Sequence, residues 1–200
     1  DSSGNISLVN ALDYETATSY TLALNASDGV NTTTSELIIT VDDVNEAPSL
    51  TNALAASSFA ENVSTGTTIA TASASDPESQ AITYSLSGTG SGNFAVDSSG
   101  NITLAAGLDY ETATSYSLTL SASDGVNTTT NTLAISISDV NEAPSLTNAL
   151  AASSFAENIS TGTTIATASA SDPESQSITY SLSGTGSGNF AVDSSGNITL

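Results

Sequence analysis

The chain repeats itself. DSSGNIS opens at Asp1 and DSSGNIT recurs at Asp97 and Asp193, a spacing of 96 residues each time. LDYETATSY returns at Leu12 and Leu108, ASDGVNTTT at Ala26 and Ala122, and DVNEAPSLTNALAASSFAEN at Asp43 and Asp139. Pro48 to Leu104 and Pro144 to Leu200 differ only at Val63/Ile159 and Ala81/Ser177. Self-similarity at a fixed period decides the organisation before any element is assigned. It divides the 200 residues into 1–47, the C-terminal half of one unit, 48–143, a complete unit, and 144–200, the N-terminal part of a third. Such near-identity implies further copies in a longer parent, of which these residues are a section. A unit of about 100 residues can bury its own core. The expectation is an array of domains and not a solenoid whose repeats need their neighbours.

Within the complete unit, apolar residues alternate with Ser and Thr over short runs bounded by turn residues, the pattern of half-buried strands. Ile82, Tyr84 and Leu86 share a face, as do Phe94 and Val96, Ile102 and Leu104, Tyr116, Leu118 and Leu120, and Leu133, Ile135 and Ile137. GTGSGN, DSSGN and SDGVN lie between them and supply the Gly and Asn of tight turns. Strands near Ser58 to Glu61 and Thr67 to Ala74 bring the number to seven, and no segment keeps a helical period over ten residues. The expected fold is all-β: tandem seven-stranded Greek-key sandwiches of the immunoglobulin kind.

The charge is one-sided. There are 21 Asp and Glu and no Lys, Arg or His, a net charge of -21. Without cations the chain cannot displace counterions from a phosphate backbone, which excludes nucleic acid. It also excludes electrostatic attraction to an anionic membrane. No apolar run is long enough to span a bilayer, and no charged and apolar leader opens the sequence. With no Cys there are neither disulfides nor thiolate metal sites.

The acids avoid the strand faces. From Pro48 to Ala143 they are Glu61, Asp76, Glu78, Asp97, Asp109, Glu111, Asp124, Asp139 and Glu142, each at a strand end or in a loop. Asp76 with Glu78, and Asp109 with Glu111, are spaced by two, so each pair projects to one side of an extended segment. Two carboxylates about 4 Å apart repel by roughly 4 kcal/mol at an effective dielectric near 20, a large share of the about 5 to 15 kcal/mol that stabilises a domain. Dispersion, protonation or a metal would relieve it. Oxygen-only donors, without His or Cys, point to a hard cation with six to eight ligands, calcium before magnesium or zinc. Asp97, in the DSSG turn, reads as a turn-former. Tyr110 and Tyr116 read as core or corner aromatics, and Asn62, Asn101 and Asn127 as chance sequons in a Ser/Thr/Asn-rich chain.

These residues resemble the cadherin repeat in its bacterial or cadherin-like form. FAEN at Phe59 to Asn62 is similar to the family's P-E-N, SASDPES at Ser73 to Ser79 to its D-x-D, and LDYE at Leu108 to Glu111 to its L-D-R-E. SASDG at Ser121 to Gly125 is similar to its A-x-D-x-G, and DVNEAP at Asp139 to Pro144 to its linker D-x-N-D-N-x-P. The order of motifs and the fixed period carry the resemblance along the whole chain.

The resemblance implies calcium, usually three ions, between consecutive repeats. At the first junction it implies Asp13, Glu15, Asn45, Glu46, Asp76, Glu78 and Asp124, with the carbonyls of Val44 and Ala47. At the second it implies Glu61, Asp109, Glu111, Asn141, Glu142, Asp172 and Glu174, with the carbonyls of Val140 and Ala143. Asp28 would serve a junction before residue 1, and Asp43 and Asp139 would orient the linker more than ligate. The sequence departs from the family at Glu78 and Glu174, which replace the second Asp of D-x-D, at Glu46 and Glu142, which replace the linker Asp, and at Ala47 and Ala143, which replace Asn. The longer side chains leave two or three ions per junction open.

The functional expectation is a non-enzymatic, calcium-stiffened structural repeat of a large secreted bacterial adhesin or surface filament. Nothing in the chain can serve as a catalytic His, Lys, Cys or Arg. A strand of about ten residues spans roughly 33 Å, so each unit would add about 4 nm of reach. The partners expected are calcium, neighbouring repeats and, in the alternative reading, other copies pairing through an edge strand such as Ser58 to Glu61. An extracellular site follows from calcium supply, since extracellular modules bind in the roughly 10⁻⁴ to 10⁻³ M range.

Overall fold

The computed structural model describes residues 4–52, 54–151 and 153–200; the start of the first DSSGN motif, with Ala53 and Ala152, lies outside them. Among the described residues the regular structure is all β, apart from single 3-10 turns at Ser91–Asn93 and Ser187–Asn189. The chain forms two compact units. The first runs to Ser58 and adds Val63–Gly107 and Ser115–Ser136; the second comprises Phe59–Asn62, Leu108–Thr114 and Ile137–Leu200. Each unit therefore contains a linker, DVNEAP, together with the segments that flank it.

In the first unit, β1 (Ser19–Ser27) and β2 (Thr32–Thr40) form an antiparallel hairpin, Leu22 opposite Leu37. After the linker come β3 (Ser49–Leu50), β4 (Ser57–Ala60), β5 (Thr68–Thr71), β6 (Ala74–Ser75), β7 (Thr83–Thr89), β8 (Phe94–Val96), β9 (Asn101–Leu104), β10 (Ser115–Ser123) and β11 (Thr128–Ser138), with β4 and β11 both running on into the second unit. One sheet has the order β4-β11-β10-β7, another β5-β9-β8, and β3 pairs with β6 alone.

The period-two pattern becomes the core. Along β10 the side chains of Tyr116, Leu118, Leu120 and Ala122 are buried while their neighbours are not. Leu118, Leu120 and Leu133 are 0 % exposed, and Ile102 and Leu104 of β9 meet the same interior. Phe94 and Tyr116 pack edge to face with ring centroids 5.4 Å apart, joining the two sheets. Tyr116 is thus a core aromatic.

The hairpin β1-β2 carries the same alternation, and among the described residues no second sheet covers it. Leu22, at the position equivalent to Leu118, is 38 % exposed, and Leu24 49 %. The pattern sets which face is apolar; burial depends on a covering sheet.

Every expected strand segment carries a strand, with one rearrangement. Thr67 to Ala74 does not continue as one strand. Ala72 N–H bonds the Gly100 carbonyl at 2.8 Å, and the chain then turns from β9 to β3, where Thr51 N–H bonds the Ser73 carbonyl and Asn52 Oδ1 accepts Ser73 N–H at 2.6 Å. Gly100, at φ +82°, permits this close approach: a Cβ there would press on the Ala72 carbonyl. Asp97 caps the same turn, its Oδ1 accepting from Ser99 and Asn101 N–H at 2.9 Å, as its turn-forming role required.

In the second unit, β12 (Ser145–Leu146) pairs with β14 (Ala170–Ser171), and β16 (Asn197–Thr199) lies between β13 (Thr164–Thr167) and β15 (Ala191–Val192). These pairs reproduce the registers of β3-β6 and β5-β9-β8. Among the described residues no helix is long and apolar enough to cross a membrane.

Candidate metal centres at the linkers

In the first unit, strand ends and the linker bring Glu15, Glu46 and Glu78 together, with carboxylate oxygens within 4.8 Å of one another. Glu15 is the last residue of LDYE, whose turn Asp13 stabilises by accepting Thr16 N–H and Oγ1–H at 3.0 and 2.9 Å. Glu78 is placed by the DPESQ turn, which closes through Ser79 N–H to the Asp76 carbonyl at 3.1 Å and sets Ser79 at φ +60°. A left-handed serine is uncommon and costs about 1 kcal/mol or more. Its twin Ser175 also stands at φ +60°. Tyr14, Glu15, Thr18, Asp43, Pro77 and Glu78 line a cleft of about 490 Å³.

The electrostatics follow from crowding. A hydrogen bond to the Glu78 carboxyl, then burial and the charges of Glu78, Glu15 and Asp43, push Glu46 up to about 7. The same hydrogen bond lowers Glu78. Asp76 Oδ1 accepts Gln80 N–H at 3.0 Å, but Asp76 Oδ2 and Glu78 Oε2 are buried with no hydrogen-bond partner.

The second unit repeats and extends this. Glu111, Glu142 and Glu174 form one cluster, and Glu61, Glu111 and Asp139 another, each with oxygens within 4.8 Å. Glu111 belongs to both. Glu142 is pushed up to about 7, chiefly by its hydrogen bond to Glu174 and then by burial and the charges of Glu61, Glu174 and Glu111. Glu111 is raised by burial and the surrounding acids. Glu142 Oε2 and Glu174 Oε2 are buried without partners. Glu61, only 6 % exposed, accepts Tyr110 N–H at 2.6 Å on Oε2 and Val140 N–H at 2.7 Å on Oε1. A cleft of about 330 Å³ is lined by Glu61, Leu108, Asp109, Glu111, Glu142 and Pro173.

The other residues of the expected set are placed differently. Asp109, like Asp13, has both oxygens on one threonine, Thr112, at 3.0 and 2.8 Å, and these bonds lower its pKa. Asp28 accepts Val30 and Asn31 N–H at 2.9 and 2.7 Å within its own turn. Asp172 Oδ1 accepts Gln176 N–H at 2.9 Å. Val44, Ala47 and Ala143 lie on exposed linker backbone, and Val140 is half-buried. Asn45 bonds Asp124 Oδ2 at 2.8 Å. Gln80 donates its side-chain amide to Asn45 Oδ1, and Gln176 does the same to Asn141 Oδ1. Neither glutamine belongs to the expected set, although each recurs at the end of DPESQ. Asp139, read as orienting the linker, stands among the carboxylates of a cluster.

The donor set is all oxygen, crowded and partly orphaned, which suits a hard divalent cation with high coordination number. Glu15, Glu46 and Glu78, and around Glu111 the residues Glu61, Asp139, Glu142 and Glu174, are the groups able to hold one.

Comparison with known proteins gives the class. The cadherin domain profile matches residues 56–138. The chain is 34% identical over 187 residues to the protocadherin-like wing polarity protein stan of Drosophila melanogaster, across 86% of this chain and 5% of that protein. It therefore spans only about a twentieth of that relative's length. The crystal structure of mouse cadherin-23 EC22-24 superposes with a TM-score of 0.57 at 28% identity, covering 95% of this chain and 66% of that one. Human protocadherin-24 EC1-2 gives a TM-score of 0.54 at 27% identity, covering 78% and 80%. The fold is the cadherin β-sandwich, and the chain belongs to the cadherin-repeat family.

Proposed function

We propose that this chain is a calcium-binding structural repeat of a large extracellular adhesin or surface filament, with Ca²⁺ at the linkers stiffening the array. Repeat boundaries fall at 47/48 and 143/144. The observation that carries the reading is the pair of carboxylate triads sharing Glu111, together with the buried, unpartnered oxygens of Glu142 and Glu174. A buried charged oxygen without a donor is strongly unfavourable, and with no Lys, Arg or His in the chain any cation that pairs with it comes from outside. Glu61, Glu111, Asp139, Glu142 and Glu174 would hold it at one linker, and Glu15, Glu46, Glu78 and Asp76 at the other. The ion would supply positive charge where the chain has none. Membership of the cadherin family supports an adhesive, non-enzymatic role.

Calorimetric titration of the chelated chain with Ca²⁺, with melting and scattering radius measured in calcium and in chelator, tests this. Binding, a higher melting temperature and a stiffer particle in calcium are expected. No heat and identical melts would overturn the reading.

A second reading, self-association, is favoured by β4, an edge strand of its sheet whose SSFA sequence carries no charge to block pairing. Sedimentation at rising concentration in calcium separates the two, since a spacer stays monomeric.

A further inference from the structure

One sequence takes two conformations in this chain. TYSLSGT at Thr83–Thr89 is strand β7 and pairs with β10, Leu86 opposite Leu120. The same seven residues at 179–185 form no strand. Strand propensity is identical at the two places, so the partner strand decides between them. The glycines of the segment behave alike. A Cβ at Gly90 would press on the Tyr116 ring, and one at Gly88 on the Ser117 carbonyl. Their counterparts Gly184 and Gly186 keep φ at +103° and +81° and meet neither. The bend is formed without the strand it packs on.

A strand of the required kind stands at the other end of the sequence. β1 is the counterpart of β10, and among the described residues its sheet holds only β1 and β2, which leaves one edge of β1 open. Four buried residues in β10 and three in β11 form the inner face of the complete repeat. All but one recur unchanged in β1 and β2, and Ile137 is matched by Val41 just beyond them. Each end bares what its counterpart covers. Leu24 is 49 % exposed where Leu120 is 0 %, and Phe190 39 % where Phe94 is 6 %. Tyr20, Leu22 and Ile39 line an apolar groove of about 460 Å³, and Ile165, Leu182, Phe190 and Ile198 one of about 280 Å³.

We propose that residues 144–200 of one copy of this chain complete residues 1–47 of a second copy, segment 179–185 adding to the open edge of β1 as β7 adds to β10. Leu182 then stands opposite Leu24. β16 already lies between β13 and β15, as β9 lies between β5 and β8, so residues 5–8, which repeat its sequence as NISL and form no strand, are displaced. The contact joins one end of a copy to the other end of the next, and such heterologous contacts propagate into open chains. It differs from pairing at β4, which belongs to the complete repeat, and it rests on no metal.

Sedimentation of the unsubstituted chain in chelator should show an open series of species that grows with concentration. Leu24→Asp and Leu182→Asp each put a charge on a face that the contact buries. Both residues are exposed in the single chain, so each variant should keep its melt and associate at least tenfold more weakly. Mixed in equal amounts, the two should form a dimer and stop there: one supplies an intact 144–200 segment, the other an intact hairpin, and the remaining ends are blocked. Hydrogen exchange on the unsubstituted chain needs no variant and should slow at 179–185 on association while 5–8 stays fast. A chain that remains monomeric up to roughly 1 mM overturns the proposal. So does association that survives in both variants, which assigns it to another edge such as β4. A mixture that stays monomeric or grows past the dimer, or exchange at 179–185 that ignores concentration, overturns it equally.

Discussion

Each linker sets two glutamates against each other, Glu46 with Glu78 and Glu142 with Glu174. Glu46 and Glu142 rise from their usual 4.5 to about 7 in the fold. A raised pKa stabilises the folded state fully below the unfolded value, and that contribution is lost as pH climbs through the folded one. Glu78 and Glu174 are lowered, so their effect is felt only as pH falls below 4.5. In chelator the melting temperature is therefore expected to fall from about pH 5 to about pH 8; a flat or rising profile in melts across that range would contradict the raised Glu46 and Glu142. Calcium replaces the proton, so its binding should tighten over the same interval and release protons. Titrations in two buffers of different ionisation heat would count them. Glu111 lies in both triads, whereas Asp109 has both oxygens on Thr112. Glu111→Gln should weaken calcium binding at its linker at least tenfold, and Asp109→Asn less, compared by calorimetry. The acids were legible from sequence because unneutralised charge at fixed spacing is a visible pattern. Gln80 was not, since a neutral amide in a Ser/Thr/Asn-rich chain marks nothing until the fold sets it against Asn45.

The strands β10 and β1 offer the same apolar alternation in two surroundings. Leu118 is 0 % exposed and Leu22 38 %. Leu118→Ala should cost about 2 to 5 kcal/mol, the usual range for a buried leucine. Leu22→Ala should cost well under that, about 1 kcal/mol, because much of its surface is already in water. Denaturant midpoints of the two variants would decide it, and equal losses would mean that the hairpin is covered in solution. The period-two reading located these strands because alternation is a local property. It did not find the break between β5 and β6, because two-residue pairs leave no periodicity and the exchange depends on Asn52 reaching Ser73 N–H, a contact 21 residues apart. Ser79 at φ +60° escaped for the same reason. Its conformation is imposed by the turn around it and not by its own preference.

Across the whole chain the absence of Lys, Arg and His leaves -21 charges with no internal counterion. Monovalent salt screens such repulsion beyond roughly 10 Å at 0.1 M. Raising sodium chloride from about 10 to about 200 mM should therefore raise the melting temperature in chelator, and raise it less in calcium. Scanning calorimetry in the four conditions checks this; an equal response would mean that calcium neutralises nothing. The repeat period, the all-β class and the cadherin family were legible in the sequence because the motifs recur in order. The division into compact units was not, because each unit gathers one linker with its flanking segments and cuts across the period. Glu61 illustrates what that gathering does. Its two oxygens hold Val140 N–H of the linker and Tyr110 N–H of the LDYE loop, while its own N–H bonds the Ser138 carbonyl at 3.1 Å. A pull applied along the chain at Val140 is thus divided between the covalent path into β11 and a lateral path through one buried carboxylate into β4. In a protein under tension that side chain is a load-sharing tie, and its removal would concentrate force on the end of a single strand.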